Sequence, residues 1–183
     1  MRVGARAVGM SASPHHAVAA RPMIDLESWE FDLINLVGAR RCSARWGSAN
    51  AAHYDERRME DDRTAQVAAC AAELAVAKFV NQYWHASVWD FRDHFAYANW
   101  PDVGKNIEVR RVRTSDYAAV RRRQLNHGLI LFVAKPTMPE CRAVEILGWQ
   151  HYDYAWTKAA PSEFDENTRI LDPKYLRFDE VPS

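Results

Sequence analysis

The stretch "NWPDVGKNIEVRR" (residues 99–111) decides how the rest of the 183-residue chain is read. Apolar and charged residues alternate on either side of a Gly-Lys-Asn turn, the pattern of a β-hairpin. With Gly104, Lys105 and Asn106 as a three-residue loop, Val103 pairs with Ile107 and Asp102 with Glu108. Side chains alternate along a strand, so Val103, Ile107 and Val109 face a core while Asp102, Glu108 and Arg110 share the other face. Two directly opposed carboxylates have β-carbons about 4.5–5.5 Å apart and repel each other. Three arrangements offset that repulsion: a shared proton, a protein cation such as Arg110 or Lys105, or a divalent metal. A loop of two or four residues would shift the register and part Asp102 from Glu108.

The flanking segments build a domain around this hairpin. "GLILFVAKP" (128–136) is a short apolar run of the kind found in a buried central strand. "CRAVEILGW" (141–149) alternates as a strand does, "QHYDYAWTKA" (150–159) reads as a short helix, and "NTRILDPKYLRF" (167–178) as a last strand and turn. "SVWDFRDHFAYANWPDVG" (87–104) also reads as strand. Upstream, Ile24 to Trp46 is expected to be helical, with a stripe of Leu26, Trp29, Leu33, Leu36 and Val37 and a start at Ser28 or near Asp25. Residues 63–84 form the strongest helical pattern, Ala-rich and free of Gly and Pro. Val67, Cys70, Leu74, Ala77 and Val80 or Phe79 form its apolar stripe, and Ala69, Ala71 and Ala72 would let it approach a sheet closely. The expected architecture is one α/β domain over residues 23–183, a central mixed β-sheet flanked by helices with an N-terminal helical segment.

Bulk properties set limits on function. With 24 basic and 24 acidic residues the chain is neutral, so a nucleic-acid site must be a local patch. Cys42, Cys70 and Cys141 are far apart and form no CxxC pair, which points to reduced thiols and a cytoplasmic setting. No apolar run reaches the roughly 18–20 residues of a membrane helix. Residues 1–22 are rich in Ala and Arg and contain no acid. They read as a disordered tail, an over-called start (Met10 and Met23 offer later ones) or a transit peptide. "PHH" at 14–16 belongs to that tail. The acids at 55–62 read as a solvated loop rather than a metal site. There is no G-x-G-x-x-G or P-loop, hence no nucleotide cofactor is expected, and no hydrolase elbow. His85, His94, His127 and His151 lack ligand spacing.

A hard cation such as Mg²⁺ takes carboxylate oxygens and keeps several waters. Held by Asp102 and Glu108, it could polarise a phosphodiester and activate a water. The simpler reading is a surface ion pair with Arg110 or Lys105, which contributes little.

The residues "PD" (Pro101-Asp102), followed on the next strand by "EVR" (Glu108-Val109-Arg110), resemble the PD-(D/E)XK nuclease motif. "AAELAVAKF" (71–79) supplies the further acid, Glu73, on the preceding helix, and "GWQ" (148–150) and "LDPKYL" (171–176) resemble segments of small phage-type proteins with this fold. The resemblance covers roughly residues 63–176. It implies a restriction-endonuclease-like fold and Mg²⁺- or Mn²⁺-dependent hydrolysis of DNA. In that frame Asp102, Glu108 and the Val109 carbonyl are metal ligands, and Glu73 orients a water or completes the metal shell. Arg110 stands where the family usually has Lys. Arginine is protonated at any working pH and is no general base, though it suits phosphate. Lys78, Lys105 and Lys135 are the substitutes available, and a protein that keeps the fold but only binds DNA or another protein is the alternative.

After the hairpin, Arg110, Arg111, Arg113, Arg121, Arg122 and Arg123 fall within 14 residues with only Asp116 among them. They read either as a nucleic-acid patch or as a solvated turn. Trp84, Trp89, Trp100, Trp149, Tyr152, Tyr154 and Trp156 are candidates for base stacking, with Trp149 and Trp156 expected in the core.

Overall fold

The computed structural model describes residues 20–45, 61–88, 100–122, 128–163 and 165–179. In chain order the elements are β1 (Met23–Asp25), α1 (Ser28–Arg45), α2 (Asp62–Phe79), β2 (Ile107–Arg111), β3 (Ala118–Arg121), β4 (Ile130–Pro136), β5 (Ala143–His151), α3 (Tyr152–Lys158), β6 (Ala160–Pro161), β7 (Thr168–Leu171) and a 3₁₀ turn (Pro173–Tyr175).

The apolar run becomes β4, the centre of a mixed sheet ordered β1-β5-β4-β2. Of its residues only Lys135 is not fully buried. It pairs antiparallel with β5 and parallel with β2. A parallel pair needs a crossover, and here the chain between β2 and β4 supplies β3. That strand joins a second, antiparallel sheet ordered β3-β7-β6. The α/β class and the mixed sheet are as expected from the sequence. The second sheet is not, because its strands are short and β3 lies inside the arginine-rich stretch.

Alternation along β4 separates two cores. Ile130, Phe132 and Ala134, with Ile107, Val109, Val144 and Ile146, pack under α1 and α2. Leu131 and Val133, with Leu147, Val120, Leu171, Tyr152 and Ala155, pack on the opposite face under β3, β7 and α3. "GWQ" and "LDPKYL" meet at the end of β5, where Trp149 and Arg177 exchange backbone hydrogen bonds (3.0 and 2.8 Å) and Gln150 Nε2 donates to the Tyr175 carbonyl (2.7 Å).

Helix α1 starts at Ser28, the later of the two starts expected, while Ile24 and Asp25, expected to be helical, belong to strand β1. The Glu27 N–H donates to Glu30 Oε2 (2.7 Å), a carboxylate reaching back to an unsatisfied donor at the helix start. The buried stripe is also rotated from the expected one. Trp29 and Leu36 are 59% and 60% exposed, whereas Glu30 and Ile34 are 4% and 0% exposed. Charged residues occupy the inner face because each finds a partner there: Lys78 Nζ donates to Glu30 Oε2 (2.6 Å) and Arg41 reaches Glu73. At Gly38 the two helices touch, and a β-carbon there would lie 2.7 Å from Val67 Cγ2 and 2.9 Å from Val67 Cα.

Helix α2 begins with an Asp61 cap that accepts the Thr64 N–H (3.0 Å). Its inner face is almost all alanine, with Ala68, Ala71, Ala72 and Ala75 completely buried. It ends at Phe79, five residues before the expected Trp84. Asn81 adopts φ 53° and the Gln82 N–H donates back to the Ala77 carbonyl (2.9 Å), a left-handed stop.

The tail expected over residues 1–22 is tied down at its end. The Pro22 carbonyl accepts the Ile146 N–H (2.9 Å), and Arg21 Nη1 lies 2.8 Å from Asp116 and 3.3 Å from Glu145. Residues 1–19, including "PHH", and most of the acidic loop lie outside the described residues. So do 89–99, the middle of the strand expected at 87–104. Among the described residues no helix is long and apolar enough to cross a membrane.

Candidate functional site

The hairpin turns where expected. Val103 and Ile107 form an antiparallel bridge, with N–H to carbonyl distances of 3.1 and 3.2 Å. Only its second arm is a regular strand, however. On the first arm Val103 makes a single bridge to Ile107 and another to Trp84. Asp102 is therefore not a cross-strand neighbour of Glu108 in a ladder. It lies beside the outer edge of β2, where its Oδ2 accepts the Val109 N–H (2.8 Å).

That bond also orients the carbonyl of Val109. Within one strand residue the N–H and C=O point the same way, alternating from residue to residue. Val109 thus directs its carbonyl to the edge that carries Asp102, away from β4. Glu108, one residue earlier, projects from the opposite face of the strand. It is completely buried, and its Oε1 lies 2.8 Å from Arg110 Nη2. Charge attraction rather than an aligned hydrogen bond holds that pair. Burial disfavours the charge on Arg110, but Glu108 outweighs it and the guanidinium stays firmly charged, with the Tyr152 hydroxyl assisting. Tyr152 is in turn anchored through its hydroxyl, which donates to the Arg121 carbonyl (2.7 Å).

Glu73 reaches the same edge from α2, below the sheet. Both its oxygens are engaged: Arg41 Nη1 donates to Oε1 (2.7 Å) and Nη2 to Oε2 (2.8 Å), and Trp84 Nε1 donates to Oε2 (2.8 Å). Both side chains of the ion pair are only 9% exposed. Arg41 Nε also donates to the Ser87 carbonyl (2.8 Å), so the guanidinium ties α1, α2 and the segment after α2 together. Glu73 keeps the arginine protonated against the cost of burial. Sequence reasoning missed Arg41 and the structural role of Trp84. The available signal was Glu73 itself, an acid on an alanine-rich face that must bury against a cation.

The electrostatics converge on Asp102. Burial pushes its carboxyl well above the usual carboxylate range, and the negative charges of Glu108 and Glu73 push it further. The Val109 N–H and Arg110 oppose this only in part. Among the described residues, Glu73, Asp102 and Glu108 lie with the cations Arg41 and Arg110. Cys70 lies close enough to feel the same groups, and its thiol is pushed up to about 12, mainly by burial.

The structure thus brings Glu73, Asp102, Glu108, Val109 and Arg110 together. It does not bring the lysines. Lys78 is held by Glu30 and the Asp25 carbonyl, Lys135 by Asp116 (2.9 Å), and Lys105 is exposed on the turn. Nor do the arginines form one patch. Arg110 is part of the buried site, Arg111 and Arg113 are half-buried near the end of β2, and Arg121 and Arg122 are exposed on the other sheet. Arg123 lies outside the described residues, as do Trp89, His94 and His127. Asp116, the acid among the arginines, pairs with Arg21 and Lys135 instead. Trp149 is core as expected, and Trp156 is half-buried under Arg169.

As a donor set for a metal, the site offers hard oxygens only: the Asp102 carboxyl, the Glu108 carboxylate and the Val109 carbonyl. No group of three or more His, Cys, Asp or Glu is arranged to hold a metal among the described residues. Two carboxyl groups and a carbonyl nevertheless fit Mg²⁺, which commonly takes one or two protein carboxylates and completes its shell with water. Comparisons with protein-family models, with curated proteins and with solved structures find no match to this chain.

Proposed function

We propose that the protein is a Mg²⁺- or Mn²⁺-dependent phosphodiesterase with a restriction-endonuclease-like fold, hydrolysing DNA. One observation carries the reading: the carboxyls of Glu73 on α2, Asp102 before the turn and Glu108 on β2, with the guanidinium groups of Arg41 and Arg110, act on one another around Asp102 at the edge of β2. Acids are crowded together in a buried place only against a gain elsewhere, and cation binding is such a gain.

In this reading Asp102, Glu108 and the Val109 carbonyl hold the ion. A bound Mg²⁺ would polarise the phosphodiester and acidify a water. The chain's own residues prepare the ground. Arg41 and Trp84 fix Glu73 so that it frames the site and does not enter the ligand shell. Burial and the neighbouring acids favour the protonated form of Asp102, and a bound cation would favour its carboxylate. Arg110 remains charged and can stabilise negative charge on the phosphoryl oxygens.

A second reading has its own support. Arg110 already spends one nitrogen on Glu108, and Lys78 and Lys135 are engaged elsewhere. A protein that keeps the fold and binds DNA or another protein without cutting it would look the same. Titration calorimetry with Mn²⁺ on the wild type and on Asp102→Ala with Glu108→Ala tests the metal. Binding that disappears in the double variant supports the proposal, and no binding in the wild type, with or without DNA, refutes it. Plasmid cleavage by the metal-bound wild type then separates the nuclease from the binder.

A further inference from the structure

The segment that delivers Trp84 to Glu73 also builds a surface. Residues 83–85 are extended and alternate, so Trp84 points inward while Tyr83 and His85 point out. His85 is clamped: its Nε2–H donates to the Gly104 carbonyl (2.7 Å), and its backbone N–H to the Asp102 carbonyl (3.2 Å). Its ring meets Tyr83 edge-to-face at 4.7 Å and Trp100 at 6.4 Å. Tyr83 and Trp100 are nonetheless 58% and 53% exposed. The backbone beneath Tyr83 is fixed as well, since the Gly104 N–H donates to the Tyr83 carbonyl (2.9 Å). The result is a short row of three aromatic rings, with Trp100 two residues before Asp102 and the exposed Lys105 on the hairpin turn beside Gly104.

We infer that Tyr83 and Trp100 form a stacking platform for the bases of single-stranded or locally unpaired nucleic acid. This rests on reading the adjacent edge as a phosphodiester site. Large flat rings held apart by a clamped spacer suit planar heterocycles, whose faces bury well on aromatics whatever the base. Lys105 supplies a cation for the backbone that joins those bases. Bases inside a duplex are stacked on each other and cannot use such a platform, so the preference is for unpaired strands.

The experiment is fluorescence anisotropy with a labelled twelve-nucleotide oligo-dT and an abasic oligomer of equal length, in EDTA. The excess chelator makes the result independent of whether the edge binds metal. The expected result is binding of oligo-dT over the abasic strand, weakened about five- to a hundredfold by Trp100→Ala and similarly by Tyr83→Ala. Both residues are exposed, and circular dichroism checks that the variants fold. Equal affinity for the abasic strand, unchanged affinity in both alanine variants, or no binding by the wild type overturns the platform. A platform that binds in a protein that takes no Mn²⁺ overturns the metal proposal alone.

Discussion

Replacing Arg41 by Met asks how much of the fold hangs on a single ion pair. The methionine keeps the apolar stem but removes three donors. Glu73 retains the Trp84 N–H and loses both bonds to the guanidinium, and the Ser87 carbonyl loses its donor. Both partners are 9% exposed, so water rescues little of this. Removing one side of a buried pair costs about 3–5 kcal/mol, because the remaining charge has no compensation. Glu73 would also stand beside Asp102 and Glu108 without its counter-charge. Against a typical total of about 5–15 kcal/mol this is a large fraction. Urea denaturation at neutral pH, followed by tryptophan fluorescence, measures it. The double variant Arg41→Met with Glu73→Gln should lose about 2–3 kcal/mol less than the two single losses combined. A single-variant loss below about 1 kcal/mol at unchanged denaturant slope would refute the reasoning, since that is the range of a hydrated surface pair.

Three further outcomes follow from the same geometry. Asp102 has a native pKa raised above its unfolded value of about 3.9. The native state then holds the proton more tightly, so this group's contribution falls as pH rises from about 4 through the native value. Asp102→Asn, which can still accept the Val109 N–H, should be more stable than the wild type at pH 7.5 and lose that advantage near pH 3.5 in urea melts. A destabilised Asn variant at pH 7.5 would contradict the burden assigned to Asp102. If Mn²⁺ replaces the Asp102 proton, calorimetry in buffers of different ionisation enthalpy should show proton release on binding, with affinity rising with pH; buffer-independent heats would count against it. Gly148 has φ 124°, and a β-carbon there would lie 2.6 Å from the Arg177 carbonyl oxygen, so Gly148→Ala should cost more than about 1 kcal/mol in thermal unfolding.

Most of the sheet could be read from the chain because its strands are long or uniformly apolar. The run from Ile130 to Pro136 has no helical period, and Val103 and Ile107 announce their pairing through the intervening Gly-Lys-Asn. What could not be read depends on partners distant in sequence. Trp29 and Leu36 look like core residues on α1 until Glu30 and Arg41 claim the inner face, and those two are buried only because Lys78 and Glu73 lie opposite. β3 hides in "AAVR", where no local signal distinguishes a strand from the surrounding turn. Within the site, Asp102, Glu108 and Arg110 were legible from spacing. The proton burden on Asp102 and the fixing of Glu73 were not, since both arise from tertiary burial.

The bond from the Val109 N–H to Asp102 has a further consequence, for solubility. Among the described residues β2 is the terminal strand of its sheet, and a terminal strand with open backbone groups is a template on which another chain can add. Here the hairpin covers Ile107 and the carboxyl of Asp102 occupies the donor of Val109. An alanine at position 102 would free that donor beside the apolar residues of β2, whereas an asparagine would keep it occupied. The same carboxyl that gathers charge at the site thus also closes one donor of that edge to pairing with another chain.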